Sequence, residues 1–584
     1  MMNARMHRAC TLPFRSDARE HGSLRDKHAL GREALAALFF LALAIAATRP
    51  LAALFRTHVL GHLDVLVDLW TVHWLATHFF DPGQIFQGNM FHPARHAVLH
   101  SDLSLGTVVL LLPFRRFVHD PVPLVNLAVL LALAFGGWAF HALGHAVTGN
   151  RWAGLLCGVL AAFNSHQMRH LYHLNLLTTG WLALFLLGLH RTLERPTAFS
   201  VALAAVSFAL SAQSSGYYGV AAVVLAAVFA ALNVRALGRS QVLAALAAAA
   251  LLGALLTLPY LTAYLDARYE QGLRRNINMS AAMAFHPSQD LTSDAYAYRW
   301  LSPREGERLF PGALALVLGA VAVARRRPGT LFYGAAFVVM LLLSLGPRWA
   351  LAGRTFDLPY KWLFSIAPFD GMRHPYTFAA VALFMLAVLA AIGWAGLRIA
   401  ARAWAGPLVV LLAVAETLSP PPLVRAIPAG VPPAYEMIRA LPPAPILEVP
   451  VFAPYTLVWA ARHGLPVVNG QGSAFVPGGT RIIARLVENH WVRRVPGDLD
   501  ASKPALYLAD VFPALYVIVP AVREPAFRPL AAAFDRSRLF GLVAEAPDGD
   551  RIYELRRYRV SAPARNAAPP PVDEQPEAER PPPR

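Results

Sequence analysis

The chain has 584 residues, of which 56% are hydrophobic and only 15% are charged. Soluble domains carry about 25% charged residues, so the composition excludes an ordinary soluble globular protein and indicates that lipid contacts much of the surface. The formal net charge is +17, but the arginines lie between apolar stretches rather than on one amphipathic face. We therefore take the positive charge as a signal of membrane orientation and expect no nucleic-acid partner.

The N-terminal part, residues 1–33, is polar and precedes a series of apolar segments. A helix needs about 20 apolar residues to cross the hydrocarbon core of a bilayer, and about eleven segments meet or approach this length. One further apolar piece, 103–114, is short and suits a re-entrant helix better than a crossing. The predicted crossings are 34–55, 123–147, 151–164, 174–190, 197–213, 217–233, 241–263, 308–324, 330–347, 376–398 and 404–420.

The distribution of arginine predicts the orientation of these crossings. Short loops rich in lysine or arginine stay in the cytoplasm, and four such loops alternate correctly along the chain. The Arg-rich N-terminus lies on the same side as these loops only if 103–114 does not cross. The N-terminus is then cytoplasmic and the C-terminus extracytoplasmic. The arginines that set this orientation are Arg191 and Arg195, Arg235 and Arg239, Arg325–Arg327, and Arg398 and Arg402.

This topology puts most of the polar sequence on the extracytoplasmic face, including a long first loop, 56–122. Loops of this length in a compact protein are usually functional or disordered. After the predicted membrane domain, 34–420, short β-like runs alternate with helical stretches, so we predict a small α/β domain over 421–560 on the same face. Residues 561–584 lack hydrophobic periodicity and are expected to be disordered.

Two aspartates open the first outer loop. Asp64 and Asp68 are four residues apart and so share one face of a predicted helix. A carboxylate in a partly dehydrated position at the membrane boundary is suited to act as a general base toward an acceptor hydroxyl or amine. The alternative is that one aspartate caps the helix and the other is solvated.

The same loop contains His92, His96 and His100 at helical spacing, followed by Asp102. Three imidazoles and a carboxylate could bind a metal ion. Pro93 would put His92 at a helix cap, out of line with the other two histidines, so we assign no metal ligand here. Asp102 alone, directly before the re-entrant piece, is the stronger candidate for a carboxylate of the site.

The densest polar cluster near the membrane is 164–173. His166, His170 and His173 are four and three residues apart and would line one helical face, while Arg169 offers a bidentate contact to phosphate. Ionisable groups near lipid are functional hypotheses by default. The alternative is a histidine-rich helix end that reaches for water.

Two further outer elements offer candidate ligands. Tyr217 follows a hydroxyl-rich turn and could bond a sugar, although tyrosines are also common at membrane interfaces. Arg373 and His374 lead into the crossing 376–398, where Arg373 either pairs with an anionic phosphate or anchors the helix at the interface.

Several short motifs, taken in order, resemble the GT-C superfamily of polytopic glycosyltransferases, and more closely its bacterial branch related to the YfhO-type membrane proteins. The pattern is a first crossing, an outer loop that opens with an aspartate, a re-entrant helix, and an outer His/Arg cluster. The motifs that carry it most specifically are Ala161–Asn164 with Met168–His170 and His173–Leu177, Arg373–Phe378, Leu447–Pro450 and Val468–Gly472.

The resemblance implies transfer of a sugar from a polyprenyl-phosphate carrier, at the outer leaflet of a bacterial inner membrane, to a glycan, lipid or protein acceptor. It assigns the base to the position of Asp64, with Asp68 one helical turn away as the alternative. Some relatives have a second acidic residue where this chain has His170 and His173, and Asp102 is the candidate to replace it. The resemblance leaves dependence on a divalent metal open.

Two other functions remain as alternatives. A transporter or flippase of lipid-linked saccharides would carry ionisable groups near the middle of the bilayer and often shows repeated halves. The predicted crossings contain almost no acidic residue apart from Glu416 and no evident duplication, which disfavours transport. A non-catalytic protein of envelope biogenesis would share the fold without the chemistry.

Overall fold

The protein is described here from a computed structural model. Within the membrane domain and the C-terminal part, the described residues are 24–271, 283–301, 306–351, 354–363, 365, 372, 374–450, 455–470, 508 and 511–556. Arg373, the tail 561–584 and most of the polar N-terminal part lie outside the described residues.

Helices occupy all the segments that the apolar pattern predicted as crossings. Five of the described helical stretches are long and apolar enough to span a membrane by length and composition, and seven apolar helices are shorter, so the number of crossings stays a prediction. The helices of this region are α1 Leu24–Ala47, α2 Asp64–His78, α3 Leu105–Leu111, α4 Pro121–Thr148, α5 Arg151–Ala162, α6 Ser165–Arg169, α7 Leu174–Leu177, α8 Gly180–Glu194, α9 Ala198–Ser214, α10 Gly216–Leu232, α11 Val234–Leu237, α12 Ser240–Gln271, α13 Pro287–Asp290, α14 Ala313–Ala324, α15 Thr330–Ser344, α16 Pro359–Leu363, α17 Tyr376–Ala395 and α18 Ala405–Thr417.

The first predicted crossing, 34–55, needs correction. Helix α1 begins earlier, at Leu24, and ends at Ala47, after which the chain forms turns as far as Thr57. Pro50 has no amide hydrogen to donate to the preceding turn, so the helical hydrogen bonding stops at this point although the apolar sequence continues. The end of the apolar run was therefore a poor guide to the end of the helix.

The helices differ sharply in exposure. Helix α17 is almost wholly buried, whereas most of α12 is exposed and presents apolar side chains such as Leu251, Leu255 and Leu258 to the outside. A large exposed apolar surface on a long helix is typical of contact with lipid. Helix α17 therefore lies at the centre of the bundle and α12 at its periphery.

The predicted re-entrant piece is the short helix α3, followed by a 3-10 turn over Leu112–Phe114. Its N-terminal end is bonded to the end of α9: the Ser104 and Gly106 amides donate to the Ser214 carbonyl and hydroxyl at 3.2 and 2.7 Å. A Cβ on Gly106 would lie only 2.4 Å from the Trp181 ring. Glycine at this position therefore allows the close packing of α3 against α8.

Two short strands join the ends of the predicted membrane domain. Strand β1, His58–Leu60, precedes α2 and pairs antiparallel with β4, Val424–Ala426, which follows α18. Paired strands lie on the same side of any membrane that the chain spans, so the number of crossings between them must be even. Ten of the predicted crossings lie between these strands, and an eleventh through 103–114 would break this parity.

The C-terminal part contains a four-stranded sheet in the order β5-β6-β8-β7. Strands β5 and β6 are parallel and the other two pairings are antiparallel. The sheet has apolar side chains on both faces, which build two separate clusters around Val517 and Ile518. The elements are β5 Ile446–Glu448, β6 Tyr516–Val519, β7 Phe540–Glu545 and β8 Arg551–Leu555, with helices α19 Pro433–Arg439, α20 Thr456–His463 and α21 Arg528–Arg536; a separate hairpin is formed by β2 Arg348–Leu351 and β3 Arg354–Asp357.

Asn89 connects the first outer loop to this C-terminal part. Its buried amide donates to the Ala460 and Leu465 carbonyls at 2.8 and 3.0 Å, and its side-chain oxygen accepts from the Trp70 indole at 2.8 Å. The Asn89 carbonyl also accepts from the Val467 amide. One side chain thus links α2, the loop and α20.

The pairing of β1 with β4 predicts where cysteine reagents will reach the chain. In a variant without Cys10 and Cys157, cysteines at Leu63 and Leu423, both exposed, should react with a membrane-impermeant maleimide from the same side of spheroplasts. A cysteine at the exposed Arg235 should react only after the cells are opened. Labelling of positions 63 and 423 from opposite sides would contradict the paired strands.

The bonds of Asn89 predict a stability effect. Asn89→Ala leaves the Ala460 and Leu465 carbonyls and the Trp70 indole without this partner, at a cost of about 2 to 3 kcal/mol, because unsatisfied buried polar groups are expensive. Asn233→Ala is the matched control, since Asn233 is also buried but donates only to its own helix, at the Phe229 carbonyl. Thermal unfolding in detergent should show a clearly larger loss for Asn89→Ala, and equal losses would remove the linking role.

Candidate active site

The three aspartates predicted as catalytic candidates each contact one of three consecutive residues. The Asp64 carboxylate lies 3.1 Å from the His173 imidazole, Asp68 accepts from the Leu174 amide at 2.8 Å, and Asp102 accepts from the Asn175 side chain at 2.5 Å. Asp64 and Asp68 lie on one face of α2, as their spacing predicted. Segment 173–175 is therefore the point at which the first outer loop meets the His/Arg cluster.

Asp64 is the first residue of α2, where the positive end of the helix dipole favours a carboxylate. It lies 3.2 Å from His62 Nδ1 as well as 3.1 Å from His173 Nε2. Its side chain is nevertheless 42% exposed. Asp64 is thus held in place by two imidazoles while one side of the carboxylate stays accessible from outside.

Beyond His173, the contacts continue to a carboxylate from a different loop. His173 Nδ1 lies 3.1 Å from His170 Nδ1, and His170 Nε2 lies 2.9 Å from Glu307 Oε2. His166 adds a bond from Nδ1 to the Glu307 carbonyl at 2.9 Å. Two imidazoles therefore bridge Asp64 and Glu307.

The protons of this bridge can be counted. An ionised carboxylate only accepts hydrogen bonds, so His173 Nε2 and His170 Nε2 must each carry a proton, and the contact between the two Nδ1 atoms needs one more. Three protons on two rings give the pair one positive charge when both carboxylates are ionised. Burial holds the pKa of His170 well below its usual value, because a buried ring favours its neutral form.

Asp68 is in a different environment from Asp64. Its side chain is buried, and burial raises its pKa from 3.8 to about 7, against the lowering effects of the Leu174 amide and His173. The carboxyl group is engaged by the backbone of the neighbouring segment and is closed to solvent. Asp68 is therefore suited to holding α2 against α7 rather than to contact with an outside acceptor.

The predicted helical face of His166, His170 and His173 is wrong in its geometry. Helix α6 ends at Arg169, so His173 lies beyond it. The three rings still cluster, with centroids 4.3 Å apart for His166 and His170 and 5.4 Å apart for His170 and His173. The cluster forms because the chain turns back on itself, not because one helix presents the three rings.

The remaining predicted ligands lie around this cluster. Arg169 is exposed and makes no ion pair with the described residues. The Tyr217 hydroxyl accepts from the His374 amide at 2.9 Å, and the Tyr376 ring lies 6.1 Å from His170 and 5.3 Å from His374. Tyr217 and His374 thus adjoin the cluster through Tyr376.

His92, His96 and His100 point to three different places. His92 faces Phe512, His96 pairs with Asp266 at 2.8 Å, and His100 is buried against Phe91. His96 itself has a left-handed backbone, so no helix carries the three rings. They do not form a ligand set among the described residues.

Sequence reasoning missed Glu307, His62 and Tyr376. Glu307 is the last residue of the outer loop before the predicted crossing 308–324, and an acid at such a boundary was a usable signal. Its amide donates to the Asp290 carboxylate at 3.0 Å, which fixes the approach of the loop. Glu307 is thus a second carboxylate in contact with the histidine cluster, while the role of Asp102 stays a prediction.

One set of side chains in this site fits a metal ion. Ligand atoms of His166, His170 and Glu307 all lie within 4.8 Å of one another. His166 Nε2 is buried and has no hydrogen-bond partner among the described residues, which leaves a nitrogen available as a ligand. Two imidazoles and a carboxylate with a fourth position open are typical ligands of Zn²⁺.

Comparisons with known proteins gave structural matches alone. No family model matches the chain, and no curated protein matches it. The solved structures similar to it include ArnT from Cupriavidus metallidurans in the apo state, with 13% identity over 90% of this chain and 98% of that chain at a TM-score of 0.47. The same protein bound to undecaprenyl phosphate has 14% identity over 90% and 98%, with a TM-score of 0.46.

A third similar structure is the archaeal oligosaccharyltransferase AglB from Archaeoglobus fulgidus in complex with an inhibitory peptide and a dolichol-phosphate. It has 13% identity over 93% of this chain and 76% of that chain, with a TM-score of 0.42. At TM-scores below 0.5 the likeness assigns no function to this chain.

The pKa of Asp68 predicts how stability depends on pH. The folded protein keeps a proton that the unfolded chain releases between pH 3.8 and about 7, so stability falls as the pH rises through this window. Asp68→Asn retains an acceptor for the Leu174 amide and has no charge to bury. At pH 8 the variant should unfold about 2 to 4 °C above the parent, and the gain should vanish at pH 4.

Asp81→Asn is the control for this measurement. Asp81 lies exposed in the same loop and accepts from the Gly83 amide, so its loss should leave the pH dependence of unfolding unchanged. A parent and an Asp68→Asn variant with parallel unfolding temperatures from pH 4 to pH 8 would show that the Asp68 pKa is not raised.

Proposed function

We propose that this protein is a membrane glycosyltransferase that moves a sugar from a polyprenyl-phosphate carrier to an acceptor at the outer face of a bacterial inner membrane. The observation that carries the proposal is the bridge from an accessible carboxylate, Asp64, through His173 and His170 to Glu307. It brings a candidate base and a positive charge to one place at the ends of apolar helices.

Asp64 is the best candidate for the base. Asp68 is buried and bonded to the backbone, and Asp102 is bonded to Asn175, whereas the Asp64 carboxylate is 42% exposed. In the proposed step, an acceptor hydroxyl or amine transfers its proton to Asp64 as it attacks the anomeric carbon. The new bond to the sugar forms while the bond between that carbon and the phosphate oxygen breaks, and the phosphate leaves with the electron pair.

The leaving phosphate gains negative charge, which the site can stabilise with positive groups. The positive charge of the His170–His173 pair lies beside Asp64, and the exposed Arg169 is four residues before His173 in the chain. Arg373, next to His374, stays a proposed phosphate ligand on sequence grounds. A divalent metal ion held by His166, His170 and Glu307 would take the place of the proton between His170 and Glu307 and supply positive charge toward phosphate.

The surroundings of the site suit a lipid-linked donor. Helix α3 is a short apolar helix directly after Asp102, and α12 presents a long apolar surface to the outside. A polyprenyl tail needs such an apolar path while its phosphate stays at the polar boundary. Tyr217, which lies near His374, is proposed to contact the sugar.

The C-terminal α/β part is proposed to select the acceptor from the extracytoplasmic side. It contacts the loop that carries the aspartates through Asn89, and Arg462 pairs with Asp120 at 3.0 Å directly before α4. A domain fixed to the catalytic loop in this way can restrict which acceptors reach Asp64. The side of the membrane follows from the arginine pattern.

A flippase would need an ionisable group within the crossings, and Glu416 was the acidic residue that the predicted crossings offered for this role. Glu416, near the end of α18, accepts from the Tyr298 hydroxyl and from the Leu314 amide at 3.0 Å. A carboxylate that holds neighbouring backbone and side chain has a structural role at the helix end.

The proposed base predicts a large loss of activity. Asp64→Asn preserves the size of the side chain and removes its ability to accept a proton, so transfer should fall about 10²- to 10⁴-fold. The measurement is transfer of labelled sugar from polyprenyl-phosphate donors to membrane acceptors by the purified protein, with complementation of a deletion strain beside it.

Asp81→Asn is again the matched control and should retain full activity. Asp68→Asn distinguishes the two aspartates of α2: it should retain more activity than Asp64→Asn because it acts only through position. Full complementation by Asp64→Asn would refute catalysis by this residue and favour a non-catalytic role in envelope biogenesis.

A further inference from the structure

A second group of ligand-type side chains lies at the other end of the bundle. Glu33 on α1 and His141 and His145 on α4 have ligand atoms within 4.8 Å of one another. Glu33 Oε2 lies 3.8 Å from His141 Nε2, and the two imidazole rings are nearly parallel with centroids 5.9 Å apart. His141 lies about 30 Å along α4 from Pro121, its first residue, at 1.5 Å per residue.

His141 is the unusual member of this group. Its side chain is fully buried, and within the part of the chain that the structure describes neither ring nitrogen has a hydrogen-bond partner. A Cβ on Gly154 of α5 would lie only 2.8 Å from His141 Nδ1, so glycine at this position lets the α5 backbone pack against the ring. A buried imidazole without a partner is costly, and an ionisable residue within a predicted crossing is by default a functional hypothesis.

We propose that Glu33, His141 and His145 bind a divalent transition-metal ion, with Zn²⁺ as the best match. Imidazole nitrogen and carboxylate oxygen are common zinc ligands, and two histidines four residues apart on one helix can share a metal. The Glu33 carboxylate offsets part of the charge of the ion. Trp138 Nε1 donates to Glu33 Oε2 at 3.3 Å and thereby orients it.

The three ligand atoms need to move only slightly closer together to bind the ion. Ligand atoms about 2.0 Å from zinc in a tetrahedral site lie about 3.3 Å apart. Glu33 and His145 are partly exposed, so their side chains can rotate toward His141, whose ring is fixed by packing. With three protein ligands, the ion keeps one position for water and joins α1 to α4.

This site is separate from the candidate active site and does not depend on the proposed function. It lies at the end of α4 that leads into Arg151, whereas Asp64 and the other histidine cluster lie toward the opposite end. Arg151 acts electrostatically on both His141 and His145, and Glu33 is the carboxylate that balances this positive environment for a bound cation.

The test uses the full chain in detergent, purified without a histidine tag. The His170→Gln variant serves as the parent protein, because this substitution disrupts the other candidate metal site, that of His166, His170 and Glu307. After chelation, reloading with Zn²⁺ and gel filtration, the parent should retain about one zinc per chain and unfold at a higher temperature than its stripped form. Glu33→Gln and His141→Gln should each lose the zinc and the thermal shift.

His190→Gln is the control for loss of a buried imidazole. His190 lies in α8 and bonds the Tyr333 hydroxyl at 2.9 Å, so this variant should keep the zinc. If His141→Gln does not fold, the test relies on Glu33→Gln and on the visible spectrum of the Co²⁺-loaded protein. The absorption bands of tetrahedral Co²⁺ should appear in the parent and be absent in Glu33→Gln. No zinc in the parent, or zinc retained in Glu33→Gln, would overturn the proposal.

Discussion

The positive charge shared by His170 and His173 is the interaction on which the candidate site depends. It is required because two carboxylates from distant loops, Asp64 and Glu307, each need a donor from the histidine pair. Without that charge, either one contact would lack its proton or a carboxylate would have to be neutral. The pair therefore fixes the first outer loop to the loop before α14.

The surrounding packing lowers the desolvation cost of this charge beside an apolar bundle. His170 is buried, but Asp64 and His173 are partly exposed, so the Asp64 end of the bridge reaches water while His170 is covered. Asp68 lies on the buried side with a raised pKa, which limits the number of full charges under the surface. One face of α2 thus carries an accessible carboxylate and, a turn later, a protected one.

Part of this site could be predicted from sequence. Spacing placed Asp64 and Asp68 on one face, and charge density near the membrane singled out His170 and His173. Glu307 could not be paired with them, because its partner lies 137 residues away in the chain and only the return of the loop after α13 brings them together. Helix periodicity also misled at 166–173, where a local turn gathers the rings that a continuous helix was expected to align.

Histidine and carboxylate side chains lie together at both ends of the bundle, but they are suited to different roles. At the Asp64 end, imidazoles are partnered by carboxylates from separate loops, so their contacts can exchange with a substrate that enters from outside. At the Glu33 end, His141 is packed against the α5 backbone and has no hydrogen-bond partner among the described residues, so an ion is the ligand that would satisfy it. The His173 contact to the partly exposed Asp64 is suited to turnover, whereas the buried and fixed ring of His141 is suited to permanent coordination.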